Sequence, residues 1–247
     1  LALRMVVIKC FFLALMLSGG MASFAWFFDN PLVQRPFLSA AWFEWMVRGV
    51  YLVDVILAAG GYLATLKLFG WHIRETETTL RGWVVCLVCY EPFFPALSQA
   101  FVPYGDGPGW DLLISEGSAF FVVWSLATLA CHLIYVWATV AFGPRFSNLT
   151  HRGIITRGPY RFTKHPAYLA KNTAWWLFSL PGFIASGFAE GLARAGMLAL
   201  ISFIYVQRAR AEETMLSADP AYRAYAREVA ARSPLRAARR LLPTRPG

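Results

Sequence analysis

The chain alternates long apolar runs with short polar connections, and the runs predict its elements. Met5 to Phe28 is the first, long enough to cross a bilayer, for which roughly 20 apolar residues suffice. Asn30-Pro31 ends it. Residues 32–46 mix aromatics with Arg35 and Glu44, a mixture expected at a membrane interface. Val47 to Gly70 predicts a second span carrying Asp54, followed by a polar connection from Trp71 to Arg81. A third span, Trp83 to Val102, is interrupted by Glu91-Pro92 and Pro95. The loop from Pro103 to Glu116 holds acidic residues and no Lys or Arg. Ser118 to Phe142 is the fourth span. Ala167 to Phe188 and Ala195 to Val206 predict two more, joined by a short turn containing Glu190 and Arg194. Ile201 to Leu216 reads as one helix leaving the membrane, broken by Asp219-Pro220. The amphipathic stretch Ala221 to Ala231 then puts Tyr222, Tyr225 and Val229 on one side.

These elements predict an all-α polytopic membrane protein of about six transmembrane helices. Basic residues in short loops stay cytoplasmic, and they cluster at Arg145, Arg152, Arg157, Arg161 and Lys164 and again in the tail from Arg208 onward. Six spans place both termini, the 71–82 connection and the 143–166 loop on that side, with the acidic 103–116 loop outside. The expected organisation is residues 1–142 as transmembrane helices on the acceptor side, 143–231 as a cofactor-binding region with a helical hairpin, and 232–247 as a basic tail. The expected location is a bacterial inner membrane. A composition of 57% hydrophobic and 16% aromatic residues excludes an ordinary soluble domain. The net charge of +9 points to anionic headgroups and orientation rather than nucleic acid, because the cations flank apolar runs. The first run is long enough to be a retained helix rather than a cleaved leader.

Chemistry concentrates in Gly153 to Tyr168. Gly158-Pro159 marks a turn, and Pro166 suits the first position of a helix, where its missing N–H has no partner. His165 then stands at the helix entrance and Tyr168 one turn on. The short hairpin packs the last two spans antiparallel, so Arg208, Arg210, Glu212 and Glu213 return to the same surface. No metal is expected, since the four histidines are scattered, and Cys86-x-x-Cys89 lies in a span where core packing explains it.

Gly158-Pro159-Tyr160, Lys164-His165-Pro166-Ala167-Tyr168, Arg208 with Glu212-Glu213 and Leu216, and Tyr222 with Tyr225 resemble, in this order, the C-terminal region of the isoprenylcysteine carboxyl methyltransferase family, a superfamily that includes phospholipid and thiol methyltransferases. The likeness covers roughly the last 100 residues. It implies an S-adenosylmethionine site at the cytoplasmic face and a lipophilic or membrane-borne acceptor. Gly158, Pro159, Tyr160, His165, Pro166 and Tyr168 would hold the cofactor, Glu212 and Glu213 would face its cationic groups, and Arg208 its carboxylate or the acceptor; the last three are the candidate catalytic residues. Lys164 departs from the family's arginine, and Lys171-Asn172 from a small and an apolar residue.

Among the remaining polar residues, Glu91 at the broken helix and Lys171 with Asn172 are candidate acceptor contacts, although a lysine there also suits snorkelling to the interface. Asp54 and His132 suit buried hydrogen bonds between helices. Two other functions fit parts of the sequence. A nicotinamide-dependent sterol reductase resembles the His-Pro-x-Tyr segment and the tyrosine-rich tail, but its Arg-Asp and Cys-x-x-Lys-Tyr-Gly elements are missing. A non-catalytic membrane subunit or transporter would use Asp54 and Glu91 as ligands.

Overall fold

The computed structural model describes residues 1–65, 69–99 and 114–232. Helix α1 (Ala2–Asp29) buries Ile8, Phe12 and Met16, four residues apart and therefore on one face. That face packs on α2 (Ala40–Leu63), with Phe12 stacked on Tyr62 at 5.6 Å between ring centroids. Among the described residues four helices are long and apolar enough to cross a membrane: α1, α2, α5 (Ala119–Phe142, continuing to Arg145) and α7 (Phe188–Leu216), as expected of an integral membrane protein.

Caps set several boundaries. Ser118 Oγ accepts from Phe121 N at the start of α5, and Gly143, at φ +53°, ends it. Helix α2 begins earlier than the hydrophobic pattern predicts, because Ser39 Oγ accepts from Trp42 N and caps it. The charges that suggested an interfacial segment are absorbed within its first turns. Glu44 pairs with Arg48 one turn on, and Arg35 folds back onto the Ala41 carbonyl. At the other end α2 stops at Leu63, short of Gly70.

The third apolar run divides into α3 (Leu80–Leu87) and α4 (Phe93–Gln99), separated at Tyr90-Glu91-Pro92. The acidic residues Asp106 and Asp111 and the basic tail from Ser233 lie outside the described residues. Helix α6 (Pro166–Ala185) has 20 residues, about 30 Å of helix. Its turn into α7 is Ser186-Gly187 rather than the Glu190–Arg194 stretch; Gly187 sits at φ +84°, and Glu190 and Arg194 form an ion pair within α7. Helix α8 (Pro220–Arg232) buries Tyr222, Tyr225 and Val229.

One exception to the all-α pattern is a two-residue antiparallel ladder, β1 (Glu75–Thr76) with β2 (Thr150–His151), pairing Glu75 with His151 and Thr76 with Thr150. It joins the 71–82 connection to the cationic loop. The start of α1 reaches the same end through Arg4 to the Glu77 carbonyl and Lys9 to Thr65. The Ser39 and Glu116 segments meet at the opposite end, where Glu116 accepts from Ala40 N.

Helices α5, α6 and α7 form the scaffold of the site. Trp124 Nε1 donates to the Leu177 carbonyl between α5 and α6, and Trp176 Nε1 to Ser202 between α6 and α7. Gly191 lets the α6–α7 hairpin close, since a Cβ there would lie 2.1 Å from the Phe183 carbonyl oxygen.

Candidate functional site

Pro166 fixes the start of α6, which leaves His165 at the N-cap with its ring directed toward the end of α7. The His165 Nε2–H donates to Glu213 Oε1 at 2.9 Å, and Lys164 Nζ lies 2.6 Å from the same oxygen. Its Nδ1 is 3.9 Å from Glu212 Oε2. One turn into α6, Tyr168 stacks its ring parallel to His165 at 5.6 Å and donates its hydroxyl to Glu212. Adjacent carboxylates on α7 thus serve different partners on α6.

Arg208 lies one turn before Glu212 and is buried, so its charge needs acceptors. Nη2 donates to Asn148 Oδ1 at 2.6 Å, and Nε is 3.4 Å from Glu212 Oε1. The guanidinium also sits 5.0 Å from the Tyr168 ring centroid and 5.3 Å from that of Tyr90, within cation–π range. Asn148 is itself held by Tyr62, whose hydroxyl accepts from both its backbone N and Nδ2 at 2.8 Å. The chain Tyr62–Asn148–Arg208 therefore links α2, the 143–166 loop and α7.

The loop is tied down by Arg152. Its guanidinium donates to the carbonyls of Gly61, Ala64, Trp71 and Phe146, and burial lowers its pKa to about 10. Four carbonyl acceptors replace the carboxylate that a buried arginine usually seeks. Gly158, at φ +60°, forms the tight turn before Tyr160, whose carbonyl accepts from Tyr225 of α8 at 2.7 Å.

These elements enclose a cavity of ≈ 160 Å³. Tyr160, His165, Tyr168, Lys171, Arg208 and Glu212 line it. Residues 115–229 match the model of a family described as a protein of unknown function, DUF1295. No curated protein and no solved structure matches the chain. The matched stretch runs from just before α5 to α8 and contains every residue lining the cavity except Tyr90.

Of the other candidates, Gly158, Pro159, Pro166 and Glu213 stand behind the wall and shape it without facing it. Asn172 does not line the cavity; its Nδ2 donates back to the Tyr168 carbonyl of its own helix. Glu91 is also misplaced by the sequence pattern. It is exposed on the outer side of the α3–α4 break, and the neighbouring Tyr90 turns inward against Arg208 instead. Lys171 does not snorkel outward. Its ammonium faces the cavity, between 5.1 and 5.5 Å from the ring centroids of Trp175, Tyr135 and Tyr51. Asp54 does join two helices, accepting from Tyr135 and from Thr139 Oγ1 at 2.5 Å. His132 does not. Its Nδ1 meets the Thr128 carbonyl of its own helix, and its contact with Tyr51 of α2 is a T-shaped ring pair at 5.5 Å.

Asn148, Tyr90 and His151 were not singled out as site residues by the sequence pattern. A polar Asn148 in the Ser147–Thr150 stretch between apolar runs was the available signal. No group of three or more metal-ligating side chains occurs among the described residues.

Proposed function

We propose that the chain is a membrane-embedded methyltransferase using S-adenosylmethionine on a lipophilic acceptor. The observation that carries this reading is the convergence of His165 and Tyr168 on the paired carboxylates Glu212 and Glu213 beside a buried arginine. In this reading six helices cross the bilayer and the cavity opens at its cytoplasmic face.

The cavity wall suits an amphoteric, hydroxyl-bearing nucleoside. Glu212 presents negative charge to a cation, and Arg208 supplies the complementary charge for a carboxylate. The bound cofactor would supply an electrophilic methyl group on a sulfonium centre. Charge is neutralised as a thiolate or carboxylate attacks such a centre, and a water-poor, low-dielectric cavity favours that loss. The protein's part is alignment, worth on the order of 7–11 kcal/mol for well-oriented reactants.

At ≈ 160 Å³ the cavity is tighter than the roughly 300–1,000 Å³ that encloses a whole ligand, and α8 closes one side of it through Tyr222 and Tyr225. Helix α8 is held across the loop by few polar contacts, chiefly Tyr225 to the Tyr160 carbonyl and Asp219 beside His151.

The test is transfer of label. Membranes containing the chain, given methyl-labelled S-adenosylmethionine, should pass label into solvent-extractable lipophilic material, and E212Q/E213Q membranes with equal protein should not. Label that stays in the aqueous phase with every lipid extract tried would count against the reading. A nicotinamide-dependent reduction by the same membranes would replace it.

A further inference from the structure

The outer rim of the cavity holds polar groups for which the methyl-donor reading has no separate use: Arg145 lines the cavity, and Arg74 is exposed beside it. Arg74 follows the 69–73 turn, and Arg145 ends the helical turn after α5. Their guanidinium nitrogens converge on the backbone of Gly153: a Cβ there would lie 3.3 Å from Arg145 Nη1 and 3.6 Å from Arg74 Nη2. Gly153 sits at φ +97° and lines the cavity, as does Arg145. Neither guanidinium forms a hydrogen bond or ion pair with any described residue. Arg74 is exposed, so solvent screens much of the repulsion between the two cations, and their joint field still favours an anion between them.

A second, independent observation lies beside them. His151 and Tyr222 are each 6% exposed and line the same cavity. The Tyr222 hydroxyl has no hydrogen-bond partner among the described residues. His151 Nε2 is 3.4 Å from Asp219 Oδ2 but outside hydrogen-bonding geometry, while Asp219 Oδ1 is occupied in capping α8 through Ala221 N. Buried groups of this kind normally have partners. Both can donate to an oxyanion, and β2 fixes His151 in place through the Arg74 N to His151 carbonyl bond. The ladder thereby couples one arginine to the histidine it flanks.

We propose that Arg74, Arg145, His151 and Tyr222 form a phosphate-binding subsite at the polar rim of the cavity, next to and separate from the Glu212–Glu213 centre. Guanidinium groups suit phosphate because their planar N–H forks match its oxygens. The phosphate can belong to a soluble phosphate or diphosphate compound or to a lipid headgroup reaching the rim from the membrane surface.

The experiment uses the full chain and two probes. Pyrophosphate is titrated calorimetrically into detergent-purified protein, and phosphatidic acid is presented in phosphatidylcholine nanodiscs. Binding of either probe is expected, weakened about tenfold or more in R74Q/R145Q and reduced again in Y222F. The Y222F change removes only an unpartnered hydroxyl and so leaves the fold intact. Pyrophosphate binding in micelles identifies a soluble phosphate as the source; binding confined to nanodiscs, with the same dependence on the variants, identifies the headgroup. No binding of either probe, or binding unchanged in both variants, overturns the subsite. S-adenosylhomocysteine titrated into the same preparations keeps the two readings apart, since loss of its binding alone refutes the methyl donor and leaves the phosphate subsite standing.

Discussion

Gly60 and Gly61 are neighbours on α2, yet an added methyl group meets very different surroundings at the two. At Gly60 nothing lies within 4 Å of a Cβ, whereas at Gly61 the Phe146 carbonyl oxygen would be 2.3 Å away and its carbonyl carbon 3.1 Å. That oxygen is backbone and cannot rotate aside, so Gly61→Ala must push the 143–152 loop off α2. The same movement pulls on Arg152, which donates to the Gly61 and Phe146 carbonyls at 2.7 and 3.1 Å. Overpacking of this kind costs about 1–3 kcal/mol, and a charged hydrogen bond lost adds roughly 1.5–3 kcal/mol. Alanine regains at most about 1 kcal/mol of helix propensity, less so near the helix end. A net loss of about 1.5–5 kcal/mol is therefore expected for G61A, with G60A neutral or slightly stabilising. At about 2–4 °C per kcal/mol for a chain of this size, thermal unfolding in detergent should separate the two variants clearly. If G60A and G61A melt together, the close approach of α2 to the loop is not what holds the cavity wall.

Two further predictions concern polar groups away from the carboxylate pair. Asp54→Ala leaves the Tyr135 hydroxyl and Thr139 Oγ1 without their shared acceptor between α2 and α5, and should lower stability by about 1–3 kcal/mol in the same melting assay; an unchanged melt would show that these bonds do not join the helices. His151 has its pKa lowered, chiefly by burial and against the pull of Asp219, so the folded chain favours the neutral ring. The unfolded chain takes up the proton near pH 6.5, hence this contribution is complete above that pH and is lost as the pH falls below it. Melting temperature should drop on acidification from pH 7.5 toward 5.5, and His151→Gln should flatten that drop; equal slopes would refute the assignment.

Much of the architecture is legible in the apolar runs, because a bilayer-length helix is a strong signal that needs no alignment. Ser118 and Gly143 bracket α5 as cap chemistry predicts, and Pro166 fixes α6. The beginning of α2 was not legible. Arg35 and Glu44 look interfacial in sequence, and only their pairing in space, with each other and with Arg48, shows that a helix can carry them. The β1–β2 ladder is too short, at two residues a strand, to leave an alternating pattern. Within the site, a hairpin of adjacent spans suffices to predict that His165 meets the α7 carboxylates. The rotation of α6 about its own axis is a different matter. It decides that Lys171 faces three aromatic rings while Asn172 turns back on its helix, and sequence spacing alone carries no information on it. The inward position of Tyr90 in place of Glu91 depends in the same way on how α3 ends, in a turn closed by Tyr90 N to the Leu87 carbonyl. The Arg152 clamp was hidden because its acceptors are backbone carbonyls, which no side-chain motif announces.

In the proposed function the His165–Glu213 and Tyr168–Glu212 contacts frame a site for a methyl-donor nucleoside. Calorimetric titration of S-adenosylhomocysteine and NADPH into the detergent-purified chain tests it most directly. Saturable binding of S-adenosylhomocysteine is expected, weakened in E212Q/E213Q at unchanged helical content, while any heat from NADPH is lost in R74Q/R145Q and not in E212Q/E213Q. Saturable NADPH binding with none for S-adenosylhomocysteine would contradict it.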